Sequence, residues 1–520
     1  MTRDPPYSPD GGEDPRDDDF NADDPTQDRQ RDSDSPNRSS GSDSPDGSSD
    51  ADSPNGSSGS DSPNGSSGSD SPDRPNESSI SSLLSADTRP RWLQDLVLIG
   101  KAVVVVYGLF IVLGLGAGLD FNGVVSTLQS VTLLAASFAL VVLALNLHWG
   151  YTGLFNIGVA GFMAVGAYTM ALTTASPDAS FPGLGLPLWI GIPAGLVAAA
   201  LVGLVVALPA LRLRADYFAI VTLAFAEVIR LVYNSSALRE FDVLGVELGT
   251  GGGQGMSFPN LRNTVSRGIM YVDGDRAGEA TVVGRPLLEI GDTLELSQSV
   301  VEGWVYTAVL VLLVAFAFVL VTRIGNSPFG RVLKAIREDE LAARSLGKNT
   351  DRVKITAFMV GCAVMGLAGM VWQGRRGYVD PNLFLPIITF YIFIALIIGG
   401  AGSNTGSVVG ALLFAGLLFE GPPFVQRIVD ATFDLPRPTT VYDAVLALGD
   451  LDPMPLLGYA VGELPNLRFI LFGVVLIALM IYRPDGMLGY RNEPASPIDL
   501  NKERPPGRRG ERTPGGKSNE

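Results

Sequence analysis

The sequence has few of the side chains that most catalytic and metal-binding sites require. It contains one cysteine and one histidine in 520 residues. The single Cys362 excludes an intramolecular disulfide and CxxC metal sites, and the single His148 excludes catalysis or zinc binding by several histidines. We expect Cys362 to be a small packed side chain in an apolar run and His148 to lie at a membrane interface. The sequence therefore predicts no metal site, no cofactor and no enzymatic activity.

The chain also lacks an excess of basic residues, with 38 Lys and Arg against 54 Asp and Glu. Such a balance would repel nucleic-acid phosphates, so we expect no nucleic-acid partner. Residues 1–88 carry 21 acidic and 6 basic residues, and most of the net charge of −16 therefore belongs to them. They contain almost no large apolar side chains and repeat Ser-Pro dipeptides at regular spacing. This composition buries too little apolar surface to offset chain entropy and predicts a disordered acidic tail.

Beyond this tail the sequence is rich in apolar runs, many long enough to cross ~30 Å of hydrocarbon. We predict an all-α, polytopic helical membrane protein in residues 95–490, with about 8–10 transmembrane helices. Residues 491–520 are predicted to be a second disordered tail. The ten candidate spans are 96–117, 125–148, 151–174, 185–210, 217–234, 302–323, 355–373, 385–400, 405–420 and 466–482.

Basic residues are concentrated on one side of the predicted spans. They flank the first span, follow the fourth and the tenth, and fill the segment 325–354. The positive-inside rule makes this side cytoplasmic and, with ten spans, places both termini there. Arg375 and Arg376 are exceptions on the opposite side. The polar segments 235–301 and 421–465 then face outward, as solvated loops or as a docking surface for an extracellular protein.

The longest charged stretch between two apolar runs is 327–354. Ser327 suits a helix N-cap and Gly347 suits a helix end. Glu340 and Arg344 are spaced for an i,i+4 ion pair, and apolar residues recur at roughly helical spacing. We predict one amphipathic helix of about five turns between two spans. It either only sets the topology or passes movement from a soluble partner into the membrane.

Two further segments place polar side chains at predicted membrane depth. Residues 145–169 are dense in glycine, which lets helices pack closely or break where they line a cavity, and we leave both interpretations open. In residues 214–235, a glutamate and an arginine three positions apart form an ion pair or reach the interface near the helix end. The candidate pathway residues are Asn146, Tyr151, Asn156, Tyr168, Thr222, Glu227 and Arg230.

Four motifs, in order along the chain, resemble the branched-chain amino acid permease family of ABC importers. LNLHWGYTGLFNIG, from residue 145, is similar to the N-L-x-x-G-Y-x-G signature. RADYFAIVTLAFAEVIR, from residue 214, is similar to D-Y-F-A-I-V-T-L-x-F-x-E-I-x-R and precedes a T-G-G loop. GRVLKAIREDELAARSLG, from residue 330, is similar to G-R-A-L-x-A-I-R-E-D-E-x-A-A-x-x-x-G. IGGAGSNTGSVVGALLF, from residue 398, is similar to G-G-x-G-S-x-x-G-P-x-x-G-A, with Ser407 at the usual proline position.

The resemblance, which covers about residues 120–490, implies a permease subunit whose 325–354 loop couples it to a cytoplasmic ATPase. It also implies a second homologous permease subunit, two ATPase subunits, an extracellular solute-binding protein and a cell-membrane lipid environment. No G-x-x-x-x-G-K-[ST] pattern occurs in the sequence, so ATP hydrolysis is expected from the partners. The implied coupling residues are Gly330, Arg331, Ala335, Arg337, Glu338, Asp339, Glu340, Ala342, Ala343 and Gly347.

The resemblance also implies the transported solute, which we expect to be leucine, isoleucine or valine. Close relatives carry urea, short amides or other amino acids, and no residue in the sequence separates these alternatives. An ion-coupled secondary transporter is an alternative from another class, with Glu227 and Arg230 as its candidate ionisable groups.

Overall fold

Long apolar helices make up most of the structure. The computed structural model describes residues 91–210, 213, 215–243 and 245–489, so the predicted tails 1–88 and 491–520 lie outside the described residues. The all-α, multi-pass prediction is confirmed, with eight candidate spans in the described part. They are Trp92–Gly116, Phe121–Tyr151, Leu188–Ala210, Gln298–Asn326, Thr350–Gly374, Pro381–Gly399, Asn404–Asp430 and Leu464–Tyr482.

The α-helices are numbered here in chain order. They are α1 (Arg91–Gly116), α2 (Phe121–Leu145), α3 (Val159–Thr174), α4 (Leu188–Ala210), α5 (Ala215–Asn234), α6 (Leu261–Met270), α7 (Gly284–Thr293), α8 (Gln298–Asn326), α9 (Pro328–Glu338), α10 (Glu340–Ser345), α11 (Thr350–Gly374), α12 (Pro386–Gly399), α13 (Asn404–Leu413), α14 (Gly421–Thr432), α15 (Val441–Leu446), α16 (Met454–Gly462) and α17 (Leu464–Tyr482).

Short strands occur in two antiparallel pairs. β1 (Phe241–Val243) pairs with β2 (Val246–Leu248), and β3 (Met256–Ser257) pairs with β4 (Tyr378–Val379). The predicted outward segment 235–301 thus folds as a hairpin followed by α6 and α7. The helical chain continues from α13 through a π-helical turn into α14 and so into the predicted segment 421–465.

Small residues bring α3, α4 and α11 close together. A Cβ atom at Gly166 would collide with the backbone of Gly366, and one at Gly203 would lie 2.9 Å from the sulfur of Cys362. Cys362 is fully buried, which confirms its predicted role as a small packed side chain. The glycines of α3 therefore serve helix packing, because each lets a neighbouring backbone approach closely.

The connection between the second and third predicted spans is longer than predicted, because the third helix begins later. α2 runs on through a π-helical turn, Asn146–Tyr151, and irregular backbone then continues to Gly158 before α3 begins. The prediction of a helical span from residue 151 is therefore wrong in its first turns. Gly153 has a φ of +75°, a left-handed conformation that glycine adopts without strain and that ends the helix.

Candidate functional site

The charged segment after α8 forms two short helices rather than one. Ser327 caps α9 by accepting a hydrogen bond from the Gly330 amide at 3.2 Å, as predicted. Asp339 is extended, with φ −154° and ψ 105°, and its carboxylate accepts from the Ala342 amide at 3.0 Å. It therefore ends α9 and begins α10, and the prediction of a single helix of about five turns is wrong. Gly347 has a φ of +76° and follows the last turn of α10, which confirms the predicted end.

The inner face of α9 is fixed to the membrane helices. Leu333 is buried in a small apolar cluster with Tyr151, Val321 and Ala357. Gly330 lies directly against the end of α8, because a Cβ atom there would collide with backbone of that helix. The start of α9 is therefore packed tightly against the end of α8.

Arg337 connects α9 to the end of α2. Its guanidinium donates a hydrogen bond of 2.5 Å to the carbonyl oxygen of Gly150 and forms an ion pair of 2.7 Å with Glu338. A Cβ atom at Gly153 would lie 2.9 Å from Cγ of Arg337, so glycine there leaves room for the side chain. Only 16% of the Arg337 side chain is exposed. The guanidinium of this predicted coupling residue therefore lies against the membrane helices.

Ion pairs hold α10 to the start of α11. Glu340 contacts Lys354 at 2.8 Å and Arg344 at 3.0 Å, and Arg344 also contacts Asp351 at 2.8 Å. The predicted Glu340–Arg344 pair is thereby confirmed. Partial burial raises the pKa of Glu340, but the hydrogen bond with Lys354 and the neighbouring positive charges outweigh burial and hold this pKa below its ordinary value. Glu340 therefore stays ionised and anchors α10.

The outward face of the same segment is exposed and partly apolar. Leu341 and Leu346 are 74% and 78% exposed. Neither leucine is among the predicted coupling residues, although an apolar residue amid charged positions was a signal that could have found them. Large exposed apolar side chains beside charged ones are typical of a protein contact surface. Of the ten predicted coupling residues, Arg331, Ala335, Glu338, Asp339, Ala342 and Gly347 are also exposed, Gly330 and Ala343 are buried, and Arg337 and Glu340 are partly buried.

A polar network lies where α2, α8 and α13 meet. The Asn146 side chain donates to Asn404 at 2.9 Å and accepts from the Gly402 amide at 2.7 Å. Asn404 in turn donates to the hydroxyl of Thr322 at 2.9 Å. Asn146 is fully buried and joins the end of the second span to the start of α13, and Asn404 extends the network to α8.

A second network stabilises the irregular backbone before α3. Thr222 accepts from the Ile157 amide at 3.1 Å, and Asn156 accepts from the Gly158 amide at 2.9 Å. Asn156 also donates to Nδ1 of His148, and Nε2 of His148 donates to the Phe358 carbonyl oxygen at 3.0 Å. These partners assign the neutral Nε2–H form to the ring. The predicted interfacial position of His148 is wrong, because the side chain is fully buried within the protein. The ring of Phe358 stacks on it, with the ring centroids 4.7 Å apart.

The remaining predicted pathway residues lie on or beside α5. Glu227 and Arg230 form the ion pair that was one of the two predicted arrangements, at 2.5 Å, and Arg230 also donates to Asn382 at 3.2 Å. Tyr168 stacks on Tyr233 with ring centroids 4.0 Å apart. Its buried hydroxyl has no hydrogen-bond partner within the described residues. The seven predicted pathway residues therefore fall into separate groups rather than one cluster.

A cleft of about 1370 Å³ opens beside these elements. α1, α8, α9 and the start of α13 line it, together with Gly150 and Tyr151 at the end of α2. Among the described residues, no group of three or more His, Cys, Asp or Glu side chains is arranged to hold a metal ion.

The chain is similar to known permeases over much of its length. Residues 127–448, more than half of the chain, match the family described as branched-chain amino acid transport system / permease component. The chain is 34% identical over 278 residues to the high-affinity branched-chain amino acid transport system permease protein LivM of Salmonella typhimurium, an alignment that covers 53% of this chain and 59% of that relative.

Two further similarities differ in extent. The probable branched-chain amino acid transport permease protein LivM of Methanocaldococcus jannaschii is 24% identical over 381 residues, which cover 68% of this chain and 90% of that relative. The autoinducer 2 import system permease protein LsrC of Photorhabdus laumondii is 33% identical over 120 residues, which cover 23% of this chain and 34% of that relative. No solved structure matches the chain.

Proposed function

The chain belongs to the family of permease components of branched-chain amino acid transport systems, and from this premise we propose that it is a permease subunit of an ABC importer. It carries leucine, isoleucine or valine across the cell membrane, using ATP that partner subunits hydrolyse. The observation that carries this proposal is the double-sided segment α9–α10. One face contacts three membrane helices, while the other exposes Leu341 and Leu346 to a partner.

The partner at this outward face is a cytoplasmic ATPase subunit, and the complete importer holds two of them. Exposed leucines next to Arg331, Glu338 and Asp339 provide an apolar centre with a charged rim. This is the usual composition of a protein–protein contact. The proposal also places both termini on the cytoplasmic side, since the basic residues of the coupling segment mark that side.

Movement of the ATPases passes inward through three contacts. Gly330 presses on the end of α8, Arg337 holds the end of α2 through Gly150, and Glu340 holds α11 through Lys354. A tilt of α9–α10 therefore moves three spans together, as rigid-body alternating access requires. The irregular backbone between Gly153 and Gly158 lies next to the Arg337 contact and provides a place where the spans can bend.

A second permease subunit completes the pathway at α5. Tyr217, Ile220, Val228 and Leu231 on this helix are exposed, and the Glu227–Arg230 pair lies among them with 36% of the Glu227 side chain exposed. Charged groups facing hydrocarbon are costly, so this face is better suited to a protein neighbour or an aqueous pathway than to lipid. The outward segments 235–301 and 421–465 provide the docking surface for an extracellular solute-binding protein.

Uptake by the reconstituted importer tests this function. We expect ATP inside the vesicles to drive the accumulation of radiolabelled leucine, with competition by isoleucine and valine. Accumulation driven by a sodium or proton gradient without ATP would favour an ion-coupled secondary transporter instead. ATP-driven uptake of urea, a short amide or another amino acid, without leucine uptake, would preserve the importer class but overturn the proposed solute.

A further inference from the structure

The cleft between α1, α8 and α9 changes from apolar to charged along its length. Leu96 and Ile99 on α1, with Val314, Ala315 and Phe318 on α8, form its apolar walls. Its charged end is formed by Asp95, Arg323, Lys334, Arg337 and Glu338. An apolar wall that leads to a cationic end matches a molecule with a hydrocarbon part and an anionic head.

The cleft opens sideways, toward the surface of the membrane helices. Several lining side chains remain exposed, among them Leu96 at 57%, Val311 at 44% and Val319 at 53%. These residues belong to helices long and apolar enough to span a membrane. In a bilayer the open side of the cleft therefore meets lipid hydrocarbon rather than bulk water.

Arg323 is the cation best placed to bind a head group. It lies in the last turn of α8, where a spanning helix reaches the polar boundary of the membrane. Its side chain forms no ion pair and no hydrogen bond within the part of the chain that the structure describes. A guanidinium offers a planar set of donors that fits phosphate oxygens, and Asn326 lies one turn further along the same cleft.

The cleft is larger than a single transported amino acid requires. Its volume of about 1370 Å³ exceeds the ~300–1,000 Å³ of typical small-molecule pockets. A single amino acid would leave most of the apolar wall uncovered, whereas acyl chains would cover it. Arg337 and Glu338 form an ion pair with each other, and Arg323 adds a positive charge at the same end of the cleft.

We propose that an anionic phospholipid binds in this cleft, with its phosphate at Arg323 and its acyl chains along α1 and α8. The lipid lies against α9 near Lys334 and Arg337 and so fills the gap between α1 and the double-sided segment. This site depends on the geometry of this chain alone and does not require the proposed transport function.

Lipid titration of the purified full-length chain, followed by native mass spectrometry, tests the proposal. We expect phosphatidylglycerol to bind about fivefold more tightly than phosphatidylcholine, the ratio expected for one basic residue near an anionic head group. Arg323→Gln should remove this preference. Ala315→Trp should weaken the binding of both lipids, because the new side chain fills the apolar wall.

Matched variants lie outside the cleft. Arg352→Gln removes an exposed arginine elsewhere, and Leu312→Trp adds bulk to an exposed position of α8 that does not line the cleft. Both should leave lipid binding unchanged. Equal affinity for the two lipids, or an unchanged preference in Arg323→Gln, would overturn the proposal. Displacement of the lipid by leucine would also overturn it, since the cleft would then belong to the solute pathway.

Discussion

Two glutamates in ion pairs, Glu302 at the start of α8 and Glu340 on α10, hold the segments on either side of α8, but the two arrangements differ in burial. Near the first turn, Glu302 is 3% exposed and accepts two hydrogen bonds of 2.6 Å from Arg276, with Arg267 at 3.8 Å. Beyond the last turn, Glu340 is 34% exposed and contacts Lys354 at 2.8 Å. In the first arrangement, the glutamate is buried and paired with arginines of the same chain. The second keeps its ion pairs at the surface beside exposed leucines.

This difference indicates what each segment is built for. Glu302 of α8 fixes the segment with α6 and α7 through Arg276 and Arg267, and the hydrogen bond with Glu302 raises the pKa of Arg276 above its ordinary value. The segment α9–α10 is fixed only on its inner face. Its outer surface is held in a fixed position and is partly apolar, and such a surface is suited to binding a partner protein.

The largest expected effect comes from the exposed leucines. Changing both Leu341→Asp and Leu346→Asp should lower ATP-driven uptake by tenfold or more, because a charged group replaces the apolar centre of the contact, on the order of 2 kcal/mol or more for such positions. Pull-down of the ATPase subunit should fall in parallel, while the melting temperature of the isolated chain stays unchanged. Val282→Asp is the control at the other segment, since Val282 is 92% exposed. Full ATPase retention by the double variant would contradict the proposed contact.

The next effect concerns stability at the other end of α8. Glu302→Gln should destabilise the chain by about 2–3 kcal/mol, because two charge-assisted hydrogen bonds are lost in a buried setting. Thermal unfolding in detergent measures this loss, and ATPase pull-down should remain intact. Glu289→Gln, at an exposed position of α7, is the matched control. If the two variants melted at the same temperature, the Glu302 ion pair would not hold the segment.

A smaller effect is expected at the less buried counterpart, from Glu340→Gln. Solvent screens this pair, so we expect a loss of about 0.5–1 kcal/mol. The pKa of Glu340 is lowered in the folded chain, so its contribution is present above the unfolded-state value of about 4.3 and is lost as the pH falls through the lower folded-state value. At neutral pH, Glu340→Gln should therefore melt at a lower temperature than the wild type. In acid, the two melting temperatures should converge. Curves that diverge in acid would contradict this role.

The smallest effect is expected from deletion of residues 1–80. Their composition predicts a disordered tail, and removal of such a tail should leave the membrane helices and the coupling segment unchanged. Uptake by the truncated importer should remain within about twofold of the full chain, a difference of less than ~0.5 kcal/mol. Loss of uptake, with the protein still inserted in the membrane, would show that the tail takes part in transport.

Local signals predicted several features of the coupling segment correctly. Ser327 as an N-cap, Gly347 as an end and the Glu340–Arg344 pair each depend on residues within a few positions of one another. The break at Asp339 was not predictable, because charged and apolar residues continue at helical spacing across it. It is maintained by contacts of α10 with Lys354 and Asp351 on another helix.

Distant contacts account for the features that the sequence did not show. The orientation of the Arg337 side chain depends on Gly150 and Gly153, which are far from it in sequence. His148 is buried because Asn156 and the Phe358 carbonyl bind both of its ring nitrogens, and a sequence pattern shows neither partner. The membrane class and the family were predictable, since long apolar runs and ordered motifs are properties of the sequence itself.

The most direct test of the account is the ratio of leucine transported to ATP hydrolysed in the reconstituted importer with Arg337→Gln. Because Arg337 contacts Gly150 rather than the outward face, we expect ATPase binding and ATP hydrolysis to persist while leucine transported per ATP falls about tenfold, equivalent to ~1.4 kcal/mol. An unchanged ratio, or loss of ATPase binding together with uptake, would contradict the claim that this side chain carries movement from α9 into the membrane helices.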